Sequence, residues 1–407
     1  MNALVVIDGV RTPFCKAGTT LAGLGAADLG RIAVTALLAR TGIDPEIVDE
    51  VIFGCVGQPA DSANVARVIA LRSGLPERIP AVSVHRNCAS GMEAVTSAVE
   101  KLAAGHGEVF IVGGTESMSH LPLLFPKGTG AKFARLARGR GLAARLGASL
   151  KFRPADFKPV PALRLALVDP VAGMNMGETA ELLAREHHIS RQDQDRFALR
   201  SHQRAELGKE SLAQEIAPVH LDDGTAVTAD NGVRPDSTLE KLAKLAPAFL
   251  NHGCGTVTAG NSSQITDGAV ALLVMSASRA QALGLEPLGR IERYAYAGCD
   301  PRRMGLGPVN AIEKAGRPVG DADVVELNEA FAAQSLAVLQ ELGGVAEEKL
   351  NPNGGAIALG HPVGASGARL ILTCLKELKR RKANTGLATL CVGGGQGGAV
   401  WLERISS

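Results

Sequence analysis

Cys88 has the densest chemical context in the chain. It stands in the run Ser83-Val84-His85-Arg86-Asn87-Cys88-Ala89-Ser90-Gly91-Met92. An apolar strand over Ala81–Val84 leads into a tight turn. A helix follows, with Met92, Val95, Val99 and Leu102 on one face of a 3.6-residue period. A cysteine at a helix N-terminus lies among unpaired N–H groups and the positive end of the helix dipole, which favours a thiolate. The small residues Ala89, Ser90 and Gly91 leave room for a ligand to reach the sulfur. The pattern fits a nucleophile; the plainer reading is a small core residue at a strand–helix join. Three further residues stand in comparable surroundings. His361 is set between Gly360 and Pro362 in a glycine-rich turn, a candidate base or proton donor. Cys391 ends a strand and is followed by Val392-Gly393-Gly394-Gly395, where Gly393 and its neighbours can aim backbone N–H groups at a ligand. Asn328 follows the strand Val324–Leu327 and is either a polar site residue or a helix cap.

These residues need rigid elements to bring them together. Strands and helices alternate at both ends of the chain, which favours a layered α/β fold. The two ends also resemble each other. Cys88-Ala89-Ser90-Gly91 opens a helix that leads to the strand Glu108–Gly114, and Gly364-Ala365-Ser366-Gly367 opens one that leads to Leu387–Gly394. Ser90 and Gly113 are 23 residues apart; Ser366 and Gly393 are 27 apart. This reads as an internal repeat whose equivalent helix N-termini meet at a pseudo-twofold axis, with chance similarity of glycine-rich turns as the alternative.

Composition narrows the function. A chain of 407 residues implies two or three packed units, and 46% hydrophobic with 21% charged residues describes an ordinary globular protein. The net charge of +2 and the 3% aromatic content argue against a nucleic-acid partner. Seven widely spaced cysteines without a Cys-x-x-Cys pair argue against a disulfide framework or a structural zinc site, and for a reducing compartment. The start, Met1 to Asp8, reads as a first strand rather than a secretory signal. No apolar run is long enough to cross a bilayer. The expected location is cytoplasmic, with an organelle protein already trimmed of its transit peptide as the alternative.

The middle of the chain differs from its ends. Between Glu116 and Asp156 there is no acidic residue, while Lys127, Lys132, Arg135, Arg138, Arg140, Arg145, Lys151 and Arg153 are interleaved with Leu136, Leu142, Leu146 and Leu150. The run over 127–153 predicts a basic amphipathic helix that meets an anionic membrane surface, an acidic partner or a phosphorylated ligand; a solvated helix face is the alternative. A second helical stretch runs from Gly177 to about Leu207, followed by turns at Asp222-Asp223-Gly224 and Asp230-Asn231-Gly232.

The motifs together resemble the thiolase family from end to end. The resemblance is carried by Arg11-Thr12-Pro13-Phe14, the Cys88 block, Gly113-Gly114-Thr115-Glu116-Ser117-Met118-Ser119, Met176-Gly177-Glu178-Thr179-Ala180-Glu181 and Gly255 to Ser263. It continues in Asn328-Glu329-Ala330-Phe331, Gly360-His361-Pro362 and Cys391-Val392-Gly393-Gly394. It implies an α/β thiolase fold: two repeated βαβαβαββ halves in a five-layered αβαβα core with an inserted loop domain. The corresponding boundaries are 1–118 plus 251–277 for the first half, 119–250 for the insertion and 278–407 for the second half.

The resemblance also implies roles. Cys88 is the nucleophile that takes the acyl group, His361 its base, and Cys391 the acid and base at the leaving carbon. One oxyanion is held by His361 and a water on Asn328, the other by the backbone N–H groups of Cys88 and Gly393. No cofactor is implied, coenzyme A being a substrate, and no cluster has metal-ligand spacing. Met176, Phe249, Ala259, Ser263, Ala330 and Phe331 match CoA- and acyl-contacting positions. Two departures stand out. Asn175 replaces the histidine that many short-chain members carry before Met-Gly, and acidic Asp222-Asp223-Gly224 stands where many carry a basic turn against the CoA phosphate. The basic run 127–153 is an alternative source of that phosphate contact. Its length resembles the β-oxidation members, which implies a broad or longer-chain 3-oxoacyl-CoA substrate, a homodimer or homotetramer, and a multienzyme partner or membrane surface at 127–153. A decarboxylating synthase usually lacks the second cysteine, a non-catalytic carrier lacks one or more of the four residues, and a cysteine hydrolase has no use for Cys391.

Overall fold

A computed structural model describes residues 3–250 and 253–405. Met1 and Asn2, expected to open the first strand, and Asn251 and His252, where the first half was expected to resume, lie outside the described residues.

The first half runs β1 (Leu4–Arg11), α1 (Ala26–Thr41), β2 (Glu50–Gly54), α2 (Val65–Arg72), β3 (Ala81–Val84), α3 (Ser90–Ala103) and β4 (Val109–Glu116). An insertion contributes α4 (Thr129–Arg138), α5 (Leu142–Ser149), α6 (Met176–Glu186) and α7 (Arg191–Leu207) before β5 (Thr266–Ser276) completes that half. The second half runs β6 (Gly289–Gly298), α8 (Gly307–Ala315), β7 (Val324–Leu327), α9 (Ala332–Glu341), α10 (Ser366–Arg381), β8 (Thr385–Val392) and β9 (Gln396–Glu403).

The strands lie in the order β7-β8-β9-β6-β1-β5-β4-β2-β3. Outward from the β1–β6 seam, both halves show the same pairing. β1 to β5 and β5 to β4 are antiparallel, then β4 to β2 and β2 to β3 are parallel. On the other side β6 to β9 and β9 to β8 are antiparallel, β8 to β7 is parallel, and a parallel bridge from Val325 to Leu350 stands in the place of β3. The repeat is therefore one of topology as well as motif.

Alternation along the strands builds the layers, because successive side chains point to opposite faces. Val51, Phe53, Val109 and Ile111 pack under α1 and α2, while Ile52, Phe110 and Val112 face α3 and α10. Ala388, Leu390, Val400 and Leu402 share that inner core, and Leu387, Ala399 and Trp401 turn outward to α8 and α9. Helices α3 and α10 thus form a middle layer buried on both sides, giving the αβαβα order.

Of the expected insertion 119–250, residues Leu121–Val168 form a compact unit of their own, and Asp169 onward belongs to the larger unit. The smaller unit is held by a ring cluster in which Phe133 lies 5.3 Å from Phe125 and 4.9 Å from Phe152 between centroids. The basic helix expected over 127–153 is two helices, a correction to the sequence reading. Gly139 ends α4 and Gly141, at φ +83°, precedes α5, a conformation that breaks the helix and suits glycine. The stretch from Gly177 to Leu207 is likewise two helices: α6 ends before His188 at φ +52°, and Ser190 with Asp193 caps α7.

Candidate active site

Cys88 sits on a strand-to-helix turn with an unusual backbone. Asn87 lies in the left-handed region at φ +43°, where asparagine is tolerated better than most side chains. Ser90 Oγ accepts from the Arg86 N–H at 2.9 Å and donates to the Asn87 carbonyl at 2.7 Å, fixing the turn. The Asn87 side-chain amide donates to the Gly393 carbonyl at 2.6 Å. The Cys88 sulfur is half-buried, and the Gly393 N–H and its own N–H lie near enough to favour its charged form. Burial nevertheless raises its pKa above the ordinary thiol value, with the two N–H groups acting against it. Cys88 therefore rests as a thiol and needs a base, the helix dipole alone not offsetting burial.

His361 has the protonation state of a base. Ser366 Oγ donates to the Pro362 carbonyl at 3.0 Å, so its lone pair accepts from His361 Nδ1 at 2.6 Å. This network assigns the proton to Nδ1 and the lone pair to Nε2. The His361 N–H donates to Thr266 Oγ1 at 3.1 Å, which fixes the backbone of the turn. Burial, then the positive charge of Arg369, pushes the imidazole pKa down to about 4, so the ring is neutral near pH 7.

Asn328 follows directly on β7, its N–H on the Thr389 carbonyl at 3.0 Å, beside β8, which carries Cys391 next to its end. It is fully buried, and among the described residues neither polar atom of its side chain has a partner, nor has His361 Nε2. Asn328 therefore caps no helix. Buried polar groups are nearly always paired, so these atoms mark where a substrate oxygen or a water completes the site.

The two halves meet where these residues lie. A Cβ on Gly91 would stand 2.8 Å from the Gly364 carbonyl oxygen and 3.0 Å from the Ala368 nitrogen, so α3 and α10 cross backbone to backbone near their N-termini. Glu116, buried, accepts from the N–H groups of Val56, Gly57 and Gly364 at 3.0, 2.8 and 3.0 Å, and burial raises its pKa to about 7. It thereby ties the turn after β2 to the turn between His361 and α10. The Cys391 thiol is pushed up by burial first, then by the nearby Cys88 and Cys299. Sequence reasoning missed the positioning roles of Asn87, Ser366, Glu116 and Thr266. Only the left-handed turn before Cys88, which an asparagine suits, left a local signal.

The candidate CoA positions fall in two places. Met176, Phe249, Ala330 and Phe331 join Cys391 in one apolar cluster, with the rings of Phe249 and Phe331 edge to face at 5.9 Å. Ser263 adjoins them, its N–H on the Ala330 carbonyl at 2.9 Å. Ala259 instead lines a cavity of about 170 Å³ with Arg234, Lys241, Leu245 and Gln264. Asn175 caps α6 reciprocally with Glu178. Its side chain accepts from the Glu178 N–H at 3.0 Å, while the Glu178 carboxylate accepts the Asn175 N–H at 2.8 Å. Asp222-Asp223-Gly224 forms the tip between the short strands Val219–His220 and Ala226–Val227.

Comparison with known proteins bears on this arrangement. Residues 4–278 match the thiolase N-terminal domain and residues 285–404 the thiolase C-terminal domain. The chain is 43% identical to a beta-ketoadipyl-CoA thiolase of Pseudomonas putida over 100% of both chains. It is 41% identical to an acetyl-CoA acetyltransferase of Cupriavidus necator, covering 99% of this chain and 100% of that one. Among solved structures, the Bacillus anthracis acetyl-CoA acetyltransferase superposes with a TM-score of 0.89 at 38% identity, covering 100% of this chain and 99% of that one. Human mitochondrial 3-ketoacyl-CoA thiolase in complex with CoA gives 0.89 at 37% identity, covering 100% and 98%. With both domain families matched in order and the fold shared along its length, the chain belongs to the thiolase family of acyltransferases.

Proposed function

We infer that the protein cleaves 3-oxoacyl-CoA with CoA to acetyl-CoA and a shortened acyl-CoA, or runs the reverse condensation of acetyl-CoA. The observation that carries this reading is the hydrogen bond from the Asn87 amide to the Gly393 carbonyl at 2.6 Å, which holds the turn bearing Cys88 against the turn that follows Cys391. His361 Nε2 takes the Cys88 proton and the thiolate attacks the 3-keto carbon. The bond to the neighbouring carbon breaks, its electron pair leaves as the acetyl-CoA enolate, and Cys391 gives that carbon a proton. The acyl group remains on Cys88. A CoA thiol then gives its proton to Cys391 and attacks the acyl-enzyme, the Cys88 sulfur leaves as the thiolate, and His361 returns the proton to it for the next cycle. Only a few per cent of a free thiol is ionised at pH 7, and burial lowers that share here, so a neutral imidazole is required. The Gly393 N–H already directed at the Cys88 sulfur supports its role as an oxyanion donor, and the unpaired Asn328 and His361 atoms support the second oxyanion site.

Coenzyme A serves as substrate, with no resident cofactor in the cycle. Its pantetheine would run past Met176, Phe249, Ala330 and Phe331. Its phosphates would approach Arg234, which makes no ion pair among the described residues and borders the cavity beside Ala259. We also propose a broad or longer-chain substrate, a homodimer or homotetramer, a cytoplasmic location, and a multienzyme partner or membrane surface at residues 127–153. Free thiols at Cys15, Cys55, Cys88, Cys299, Cys374 and Cys391 support a reducing compartment.

Incubation with acetyl-CoA should add one acetyl group to Cys88, seen by peptide mass spectrometry, and thiolysis should follow ping-pong kinetics. Normal turnover of Cys391→Ala in both directions would remove Cys391 from its role. Rates across 3-oxoacyl-CoA chain lengths test the substrate class, and activity confined to the four-carbon substrate overturns the longer-chain assignment.

A further inference from the structure

The Asn328 side chain has no partner among the described residues, so only its main chain can aim it. That main chain is held from both edges of β7. On one edge the Asn328 N–H donates to the Thr389 carbonyl of β8 at 3.0 Å. On the other, Val325 pairs with Leu350 in a parallel bridge, and the Asn351 N–H donates to the Val325 carbonyl at 2.8 Å. The backbone turns away at Asn351, φ +42°, and its side chain continues the ladder. Asn351 Oδ1 accepts the Leu327 N–H at 2.8 Å, and Nδ2 donates to the Leu327 carbonyl at 2.9 Å. The second hydrogen of Nδ2 goes to Glu329 Oε1 at 2.8 Å. One buried amide thus grips the residues before and after Asn328.

Glu329 carries the link towards His361. Its other oxygen, Oε2, accepts from Ser201 Oγ of α7 at 2.6 Å and from the Ile357 N–H at 3.3 Å. Ser201 Oγ also accepts the Gly355 N–H at 3.1 Å, and a Cβ on Gly355 would stand 2.3 Å from the Glu329 carboxyl carbon. The main chain of residues 355–357 is therefore folded directly onto the carboxylate. It opens the short helix Ala356–Leu359, and His361 follows two residues after that helix ends. An apolar side chain could fill the same space without burying a carboxylate, but it could not direct the main chain on both sides of it.

We propose that Glu329 and Asn351 are positioning residues that hold Asn328 at its working distance from His361, so that the two stabilise the enolate oxygen. The inference rests on the reaction proposed above. The Asn87 latch sets Gly393 beside Cys88, where the acyl carbonyl forms, which leaves the unpartnered atoms of Asn328 and His361 Nε2 for the enolate. His361 has anchors of its own in Thr266, Gln264 and Ser366, so loosening the network displaces Asn328 first.

Two partial reactions of the full-length protein separate this role from a merely structural one. Exchange of labelled CoA into acetyl-CoA passes through the Cys88 acyl-enzyme and forms no enolate. Exchange of the acetyl-CoA methyl hydrogens with D2O, followed by NMR, needs the enolate. Glu329→Gln keeps the shape but sets an NH2 group against one of its donors. It should slow thiolysis and methyl exchange by about tenfold to a hundredfold, part of what a lost oxyanion donor costs. KM for the 3-oxoacyl-CoA and the rate of label exchange should stay within about threefold, because neither depends on the enolate. Ser201→Ala removes one donor to the same carboxylate from a different element and should show the same split at about threefold to tenfold. It decides the matter if Glu329→Gln does not fold. The proposal is overturned by unchanged methyl exchange in both variants, or by label exchange that falls as far as methyl exchange. Wild-type protein without label exchange would sink the reaction itself, and this inference with it.

Discussion

Asn87 and Gly393, 306 residues apart, hold each other's loops in place: the Asn87 amide donates to the Gly393 carbonyl at 2.6 Å, and the Gly393 N–H is directed at the sulfur of the residue next to Asn87. The contact closes a small ring between the two halves at Cys88. A shift of either turn would move both the nucleophile and one of its donors.

Replacing the latch should therefore reduce turnover more than binding. Loss of an oxyanion donor costs about 10²–10³ in rate, and loosening one costs a fraction of that. Asn87→Leu should lower kcat by about tenfold to a hundredfold and change KM for the acyl-CoA by much less. Asn87→Gly keeps the left-handed backbone at φ +43° but has no donor, so it separates strain from the latch. Full activity in Asn87→Gly would show that only the backbone conformation matters there.

Ser366 decides which nitrogen of His361 carries the proton. With its own hydrogen on the Pro362 carbonyl, it must accept from Nδ1. Ser366→Ala removes that acceptor and lets the ring rotate or change tautomer. General-base catalysis supplies roughly 10²–10⁴ in rate, and part of that should be lost as a fall in kcat for acylation of Cys88. Ser366→Thr retains the hydroxyl and should restore most of it. Equal rates in the alanine and threonine variants would remove Ser366 as a positioning residue.

The pH behaviour follows from two shifts of opposite direction. Burial disfavours the charged form of each group, so the Cys88 thiol goes up and the His361 imidazole goes down to about 4. The pair rests as thiol and neutral imidazole, not as thiolate and imidazolium. Alkylation of Cys88 by iodoacetamide, followed by peptide mass spectrometry, should rise with pH through a midpoint above the ordinary thiol value of about 8.5. The base is lost only as pH falls toward 4, so turnover should persist at pH 5.5 while the protein stays folded. A flat alkylation rate from neutral pH down to pH 5 would identify an ion pair instead.

What was readable in the sequence was local or repeated. The strand Ala81–Val84, the small residues after Cys88 and the helix period of Met92, Val95 and Val99 describe the nucleophile turn without distant contacts, and the structure has strand and helix at those places. The repeat of glycine-rich turns announced the pairing order that both halves share. What failed needed the third dimension. The dipole at Cys88 follows from its place before α3, but the burial that outweighs it comes from layers supplied by both halves. The leucine spacing runs on through Gly139-Arg140-Gly141, so periodicity alone joined α4 to α5 across a break set by backbone conformation. Asn87 carries no sign of Gly393, because that partner is chosen by the crossing of the halves.

That crossing makes a further prediction, at a residue remote from the reacting groups. Gly114 lies on β4, where a Cβ would stand 2.0 Å from the Gly364 carbonyl oxygen and 3.0 Å from the Ala365 Cα. These obstacles are backbone, so the turn before α10 must move rather than a side chain rotate. Gly364 is also held by Glu116, and it lies three residues after His361, so the movement reaches the base. Gly114→Ala should destabilise the fold by about 1–3 kcal/mol, the range for forced overpacking. It should lower kcat as well, read from thermal melts and steady-state thiolysis on the same preparation. Gly23→Ala, where a Cβ meets nothing within 4 Å, is the matched control and should be close to neutral. If the two variants melt and turn over alike, the close approach of the halves at Gly114 and Gly364 does not constrain the His361 turn.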